Sequence, residues 1–178
     1  AIEPYPFYGC RMLESINIPD RVTSIGNSAF YNCYGFKGSL TLSENITTIN
    51  NNTFRGCYGF KGNLVIPNSV TSIGTYAFYN CYGFNGSLLL SENLTSIDAS
   101  AFSCDNSYTM KFTGSLTIPN KVTSIGNYAF NNCSNLRNII SLANIPPSLG
   151  SYCFSNIPND ATVEVPCSGL QSYMSSSW

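Results

Sequence analysis

Residues 72–88 read SIGTYAFYNCYGFNGSL, and closely similar stretches occur at residues 24–40 (SIGNSAFYNCYGFKGSL) and 124–136 (SIGNYAFNNCSNL). Aligning the chain on the phenylalanine of this motif gives spacings of 23, 24, 24, 24, 28 and 24 residues. The aligned residues are Phe7, Phe30, Phe54, Phe78, Phe102, Phe130 and Phe154. Such a regular period indicates a solenoid, in which each turn buries its apolar face against the next turn. The spacing of 28 contains a four-residue insertion, where SCDNSYTMKFTGSL replaces YNCYGFNGSL.

Paired apolar residues in each turn predict short strands. The two members of the first pair are separated by one residue, so their side chains face the same side of a strand. These pairs are Ile16 and Ile18, Leu40 and Leu42, Leu64 and Ile66, Leu88 and Leu90, Leu116 and Ile118, and Ile140 and Leu142. The residues between them are expected to face solvent: Asn17, Thr41, Val65, Leu89, Thr117 and Ser141. A second pair, such as Val70 and Ile73, closes each turn.

A glycine follows this second pair in several turns. Gly26, Gly74 and Gly126 occupy the same place in the repeat, directly before the residues that lead to the phenylalanine. Because glycine tolerates positive φ, we expect these residues to form a corner with positive φ.

The composite unit LTIPNSVTSIGxxAFxxCxxL resembles the BspA-like leucine-rich repeat family of bacterial surface proteins. The strand spacing in MLESINIP (residues 12–19) and NLRNIISL (residues 135–142) is similar to that of leucine-rich repeats. The resemblance implies a mostly β, right-handed leucine-rich-repeat solenoid of about seven turns of 23–24 residues. We expect residues 1–159 to form the array and residues 160–178 to form a small strand-and-helix cap of the same domain. Leu170, Tyr173 and Trp178 are expected to cover the open core.

Five of the eight cysteines lie three residues after their phenylalanine, at positions 10, 33, 57, 81 and 133. We predict that this column consists of buried thiols, which fill small apolar spaces and donate weakly to a neighbouring carbonyl. Disulfides are a less favoured alternative because the Cβ directions of stacked residues run parallel. Zinc is disfavoured by the absence of histidine and of CxxC spacing. The sequence does not predict the environment of Cys167.

Composition excludes several classes of function. Net charge is −1 and 10% of residues are charged, so we expect no nucleic-acid partner. No apolar run approaches the ~20 residues that cross a bilayer, so direct membrane insertion is not expected. Histidine is absent, and the carboxylates Glu44 and Glu92 are expected to lie two turns apart on a corner. We therefore predict a non-enzyme without cofactor or metal.

Tyrosine columns and one apolar patch form the candidate binding surface. Tyrosine offers a large contact area with a polar tip, which suits protein recognition and sugar stacking. Val65 and Leu89 make the centre of the outward strand ladder apolar. The alternative is that the tyrosine rings only shield neighbouring linkers and one another. The candidate residues are Tyr31, Tyr34, Arg55, Tyr58, Tyr79, Tyr82, Val65 and Leu89.

The family resemblance implies a function at the cell surface or in secreted form. It implies adhesion to host extracellular-matrix or plasma proteins such as fibronectin and fibrinogen, or to other microbes. A structural spacer or scaffold within a larger surface protein is the alternative, and a glycan-binding accessory is a lesser one. Because residue 1 is an alanine within the repeat pattern, we expect the sequence to be part of a longer exported protein.

Overall fold

From Thr48 onward, successive turns pair through short parallel strands, in a computed structural model that describes residues 1–178. Before Thr48 a single parallel bridge joins Ile2 and Ile25. The elements are β1 (Thr48–Ile49), β2 (Leu64–Val65), β3 (Ser72–Ile73), β4 (Leu88–Leu89), β5 (Ser96–Ile97), β6 (Ser115–Ile118), β7 (Ser124–Ile125), β8 (Asn138–Ser141), β9 (Ser148–Leu149), β10 (Thr162–Glu164), a 3-10 helix (Cys167–Gly169) and α1 (Leu170–Met174). A five-stranded sheet has the order β1-β3-β5-β7-β9, and two further parallel ladders have the orders β2-β4 and β10-β8-β6. The predicted β-solenoid is thereby confirmed.

The four-residue insertion leaves the register of the five-stranded sheet intact. Ile73 pairs with Ile97, and Ile97 pairs with Ile125, although the second pair is separated by 28 residues. The additional residues are accommodated outside the sheet, in the segment between Phe102 and β6.

Stacked phenylalanines form the centre of the core. The seven repeat phenylalanines stack one above another with ring centroids 5.2–5.4 Å apart and interplanar angles of 4–11°. A second stack contacts the first edge-on, with Phe60 6.3 Å from Phe54. This second stack consists of Phe36, Phe60, Phe84 and Phe112. One turn alone would leave both faces of its phenylalanine exposed, which explains why the motif recurs.

The prediction of positive φ at Gly26, Gly74 and Gly126 is wrong. None of the three has positive φ, and glycine is required there for close approach: a Cβ on Gly74 would clash with the backbone of Asn50 and Asn51 in the preceding turn. Positive φ instead occurs two residues before and two residues after the repeat phenylalanine. Non-glycine examples are Ser28, Asn32, Asn52, Tyr76, Asn80, Ser100, Tyr128, Asn132, Tyr152 and Asn156, with φ between 55° and 62°.

The predicted register of β8 is wrong by one residue. Ile139 pairs with Leu116, and Ser141 pairs with Ile118, so Ile139 and Ser141 face the core. Ser141 is therefore not a solvent-facing residue, and Leu142 is 50% exposed rather than buried. The linker is shorter in this turn, since Ile139 lies nine residues after Phe130 whereas Leu64 lies ten after Phe54.

The C-terminal segment covers the end of the core, as expected. β10 adds to the ladder beside β8, and the buried Tyr173 donates a hydrogen bond of 3.0 Å to the Ala143 carbonyl. The Trp178 Nε1 group donates to the Pro147 carbonyl over 2.8 Å, and its ring lies 6.0 Å from that of Phe154. Leu170 does not take part in this covering, because it is 51% exposed.

Candidate binding surface

The cysteine column consists of free thiols, and the prediction that they are buried is confirmed for four of its five members, all except Cys10. All eight cysteines are free, and six of them are buried. The thiol of Cys57 donates to the Phe30 carbonyl over 2.9 Å, and that of Cys81 donates to the Phe54 carbonyl over 3.0 Å. Each sulfur therefore reaches the phenylalanine of the preceding turn and links the two turns. Cys10 is half-buried, and Cys167 is exposed.

Buried thiols make the fold sensitive to alkali. Burial raises the pKa of the Cys104 and Cys153 thiols from 9.0 to about 12. Since the folded pKa lies above the unfolded one, the contribution of each thiol is fully present below pH 9 and is lost as pH rises through about 12. Each thiol should lower the free energy of unfolding by about 1.4 kcal/mol per pH unit above about pH 9.

Urea unfolding at about pH 8 and about pH 10 measures this effect. The double variant Cys104→Ala, Cys153→Ala is the control and should show a shallower decline in stability with pH, because two of the buried thiols are absent. An identical decline in the two proteins would contradict the prediction.

Four tyrosines form a continuous stack that we call the tyrosine stack, consisting of Tyr34, Tyr58, Tyr82 and Tyr108. Successive ring centroids lie 5.2, 5.1 and 4.3 Å apart, with interplanar angles of 4–10°. The Arg11 guanidinium lies 5.4 Å from the centre of the Tyr34 ring and extends the stack by a cation–π contact. Burial, together with the neighbouring tyrosines, raises the pKa of Tyr82 to about 12. The structure thus brings together three sequence-predicted tyrosines and adds a fourth.

Sequence reasoning missed Tyr108 because it belongs to the insertion. It lies six residues after Phe102, whereas Tyr34 lies four residues after Phe30. The insertion loop folds back so that Tyr108 covers the ring of Tyr82. The sequence signal that could have identified Tyr108 is its place directly after SCDNS, because an aromatic residue in an insertion either packs on a neighbouring turn or faces solvent.

Arg55 is the centre of a second aromatic cluster. Its guanidinium carbon lies 5.4 Å from the ring centre of Tyr31, 4.7 Å from that of Tyr76 and 5.0 Å from that of Tyr79. One of its nitrogens also donates to the Asn52 side-chain oxygen over 3.3 Å. The positive charge is therefore already held by protein groups. Tyr31, Arg55 and Tyr79 lie together as the sequence suggested, and Tyr76 joins them.

Val65 and Leu89 form a small apolar patch. They are direct partners in the pairing of β2 with β4 and are 47% and 50% exposed. A shallow groove of about 330 Å³ borders Val65, with Thr41, Glu44 and Asn63 among its lining residues. The patch is a second surface on which a partner could be held.

A threonine ladder occupies a further exposed column of the solenoid. The Thr95 hydroxyl donates to the Thr71 carbonyl over 2.8 Å, and the Thr71 hydroxyl donates to the Thr47 carbonyl over 3.2 Å. The Thr123 hydroxyl continues this pattern. These hydroxyls are engaged within the protein, so the ladder serves to join turns and offers a control surface for binding experiments.

Two findings concern metals and membranes. The structure contains no group of three or more histidine, cysteine, aspartate or glutamate side chains placed to hold a metal ion. None of its helices has the length and apolar character that a bilayer crossing needs.

Comparison with known proteins identifies relatives of the repeat. Residues 1–116 and 105–177 match a family model described as BspA type leucine rich repeat region, in six copies. A leucine-rich cell surface protein from Faecalibacterium prausnitzii A2-165 is 28% identical, with a TM-score of 0.58, and the match covers 79% of this chain and 42% of that one. A leucine-rich repeat protein from T. pallidum is 19% identical, with a TM-score of 0.60 and coverage of 93% and 81%. No curated protein matches the sequence. The chain spans less than half the length of the F. prausnitzii protein.

Proposed function

Because this chain belongs to the BspA-type leucine-rich repeat family, we propose that it is a non-enzymatic interaction module at the cell surface. In this proposal it adheres to host extracellular-matrix or plasma proteins, or to other microbes. The repeat fold supports a protein-interaction or scaffold module, and the name of the F. prausnitzii relative, a cell surface protein, supports the location. The observation that carries the proposal is the tyrosine stack.

The tyrosine stack is a preorganised surface. Tyr58 and Tyr82 are each held by a ring on both faces, so a partner would fix little additional side-chain motion on binding. All four tyrosines remain at least partly exposed and can present ring edges and hydroxyls to a partner. Tyrosine is enriched in protein-binding surfaces because it combines a large apolar area with a polar tip and low entropy cost.

Weak surface charge favours a contact of this aromatic and polar kind. The two ion pairs, Lys37 with Glu14 and Arg137 with Asp160, are exposed and scattered. With a net charge of −1, the surface offers no large field to steer a charged partner. Binding should therefore change little with salt concentration.

The proposal is tested by binding of the chain to immobilised fibronectin and fibrinogen. The triple variant Tyr34→Ala, Tyr58→Ala, Tyr82→Ala removes the stack, and Thr47→Ala, Thr71→Ala, Thr95→Ala is a matched control on the threonine ladder. We expect saturable binding that the tyrosine variant weakens by about thirtyfold or more and that the control leaves nearly unchanged. Circular dichroism and a cooperative unfolding transition establish that each variant is folded.

Two results would contradict the proposal. Undiminished binding by the tyrosine variant would show that the tyrosine stack is not the binding site. The patch of Val65 and Leu89 would then become the candidate site. Absence of binding by the wild-type chain to both proteins would favour the scaffold alternative. That alternative is supported by the mutual packing of the tyrosine ring faces, which also link successive turns.

A further inference from the structure

One turn of the solenoid lacks the large side chains that its neighbours carry. Two columns flank the repeat phenylalanine, one two residues before it and one directly after it. The turn of Phe78 carries Tyr76 and Tyr79 in these columns. In the turn of Phe102 both positions are serines, Ser100 and Ser103. Because both small residues fall in the same turn, they open a notch across the two columns.

The notch is a groove of about 250 Å³. Ser100 and Ser103 form its floor, since they are 6% and 1% exposed. Tyr76 and Tyr79 line it from the preceding turn, and Tyr128 lines it from the following turn together with Asn131. The two aromatic walls are thus separated by one turn that has no large side chain.

Polar groups of the insertion lie at the same groove. Asp105 and Asn106 are among its lining residues. The Asn80 amide donates to one Asp105 carboxylate oxygen over 3.0 Å, and the Ser107 backbone N–H donates to the other over 3.0 Å. Each oxygen retains a further acceptor site, so the carboxylate can still accept a hydrogen bond from a ligand.

The segment that carries Asp105 is fixed to the next turn. The buried amide of Asn132 donates to the Cys104 carbonyl over 3.0 Å and to the Asp105 carbonyl over 3.2 Å. The backbone N–H of Met110 donates to the Asn132 carbonyl over 2.9 Å. The insertion therefore presents Asp105 and Asn106 from an anchored loop, and the site exists before any ligand arrives.

Size and chemistry together define the ligand class. Walls two turns apart are separated by roughly 9–10 Å, which leaves room for one ring in contact with both walls at ~4 Å. A carboxylate, two asparagines and two serines around that space suit a ring that carries several hydroxyl groups. The carboxylate of Asp105 disfavours an anionic ring, and no lysine or arginine lines the groove. Arg55, which contacts the wall residues Tyr76 and Tyr79, is already engaged by three tyrosines.

We propose that this notch binds a single neutral pyranose ring of a glycan. The sugar would pack its C–H faces against the tyrosine walls and donate hydroxyl hydrogen bonds to Asp105, with Asn106 and Asn131 as further partners. The site is different from the tyrosine stack, where neighbouring rings already cover both faces of Tyr58 and Tyr82. It is also independent of the proposed adhesion to proteins.

The test uses saturation-transfer NMR with methyl glycosides of glucose, mannose and galactose and with N-acetylglucosamine. The variant Ser100→Tyr fills the notch, in a column where Tyr76, Tyr128 and Tyr152 already hold the same positive φ. Ser28→Tyr is the matched control, because Ser28 has φ of 55° and Ser100 has φ of 56° in the same column. A second variant, Tyr128→Asn, removes one wall and keeps a residue that tolerates positive φ.

We expect at least one of these sugars to bind the wild-type chain and the Ser28→Tyr control equally. Ser100→Tyr should abolish binding, and Tyr128→Asn should weaken it about tenfold. Absence of binding by every sugar would overturn the proposal. So would undiminished binding by Ser100→Tyr. None of these results bears on protein adhesion, which is measured separately by binding to immobilised fibronectin and fibrinogen.

Discussion

Replacement of Phe78 by alanine is expected to lower the free energy of unfolding by about 3–5 kcal/mol. Phe78 is fully buried, and its ring is stacked between those of Phe54 and Phe102 at 5.4 Å on each side. The change removes apolar contact on both faces and leaves a cavity that rigidly stacked neighbours cannot fill. Urea unfolding followed by circular dichroism measures the effect.

The distribution of the damage is as informative as its size. In a solenoid each turn contacts its direct neighbours, so amide exchange should accelerate most in the turn of Phe78 and its neighbours, the turns of Phe54 and Phe102, and least near the C-terminal cap. Val65→Ala is the control, because Val65 is 47% exposed and should change stability by only about 0.5 kcal/mol. A uniform increase in exchange over the whole chain would contradict coupling between nearest neighbours.

The second large effect is expected from Gly59→Ala, which should cost about 3 kcal/mol or more. A Cβ at this position would overlap the backbone carbonyl oxygens of Phe36 and Tyr34 in the preceding turn. Backbone cannot rotate away as a side chain does, so the two turns would have to separate. Gly35 and Gly83 hold the same place in their turns and meet the same obstacle.

Gly62→Ala is the matched control, three residues along the same linker. Gly62 has φ of 75°, but no atom lies within 4 Å of a Cβ built on it. Its replacement should therefore cost only the conformational strain of alanine at positive φ, about 1–2 kcal/mol. Thermal unfolding of the two variants compares them directly. Equal losses of stability would show that close approach of turns does not determine the role of Gly59.

The repeat made most of the architecture predictable. The period of the phenylalanines predicts stacking of turns, and Leu64 with Ile66 predicts a strand that faces the core on one side. The thiol column was predictable for the same reason, since a small residue repeated at one position inside a turn must be buried. The predicted register of β8 was wrong because one residue is absent from the linker after Phe130, and a shift of one residue exchanges the two faces of a strand.

Backbone details of the turns were less predictable. Glycine is ambiguous in a sequence, because it serves both positive φ and close approach; Gly74 is required for the second reason. The residues with positive φ include Tyr76 and Asn80. Asparagine two residues after the repeat phenylalanine, as at Asn80, was a usable sequence signal for positive φ. Tyr76, with φ of 58°, gave no such signal, because its packing with a neighbouring ring compensates for the strain.

The candidate sites were only partly predictable. Tyr34, Tyr58 and Tyr82 could be grouped because they share one column, and a shared column in a solenoid means direct contact. Tyr108 and Asp105 lie in the insertion, where the period no longer assigns positions. The notch arises because Ser100 and Ser103 are small side chains in one turn. It can be recognised only when the three-dimensional structure places the aromatic residues of the neighbouring turns around them.

The most direct test of the central claim is a hydrogen–deuterium exchange footprint of the chain with and without bound fibronectin. If the tyrosine stack is the contact surface, backbone amides in residues 34–36, 58–60 and 82–84 should become protected, while residues 47–49 and 71–73 on the threonine ladder remain unchanged. Protection confined to the threonine ladder, or no protection at any position under saturating fibronectin, would contradict the assignment.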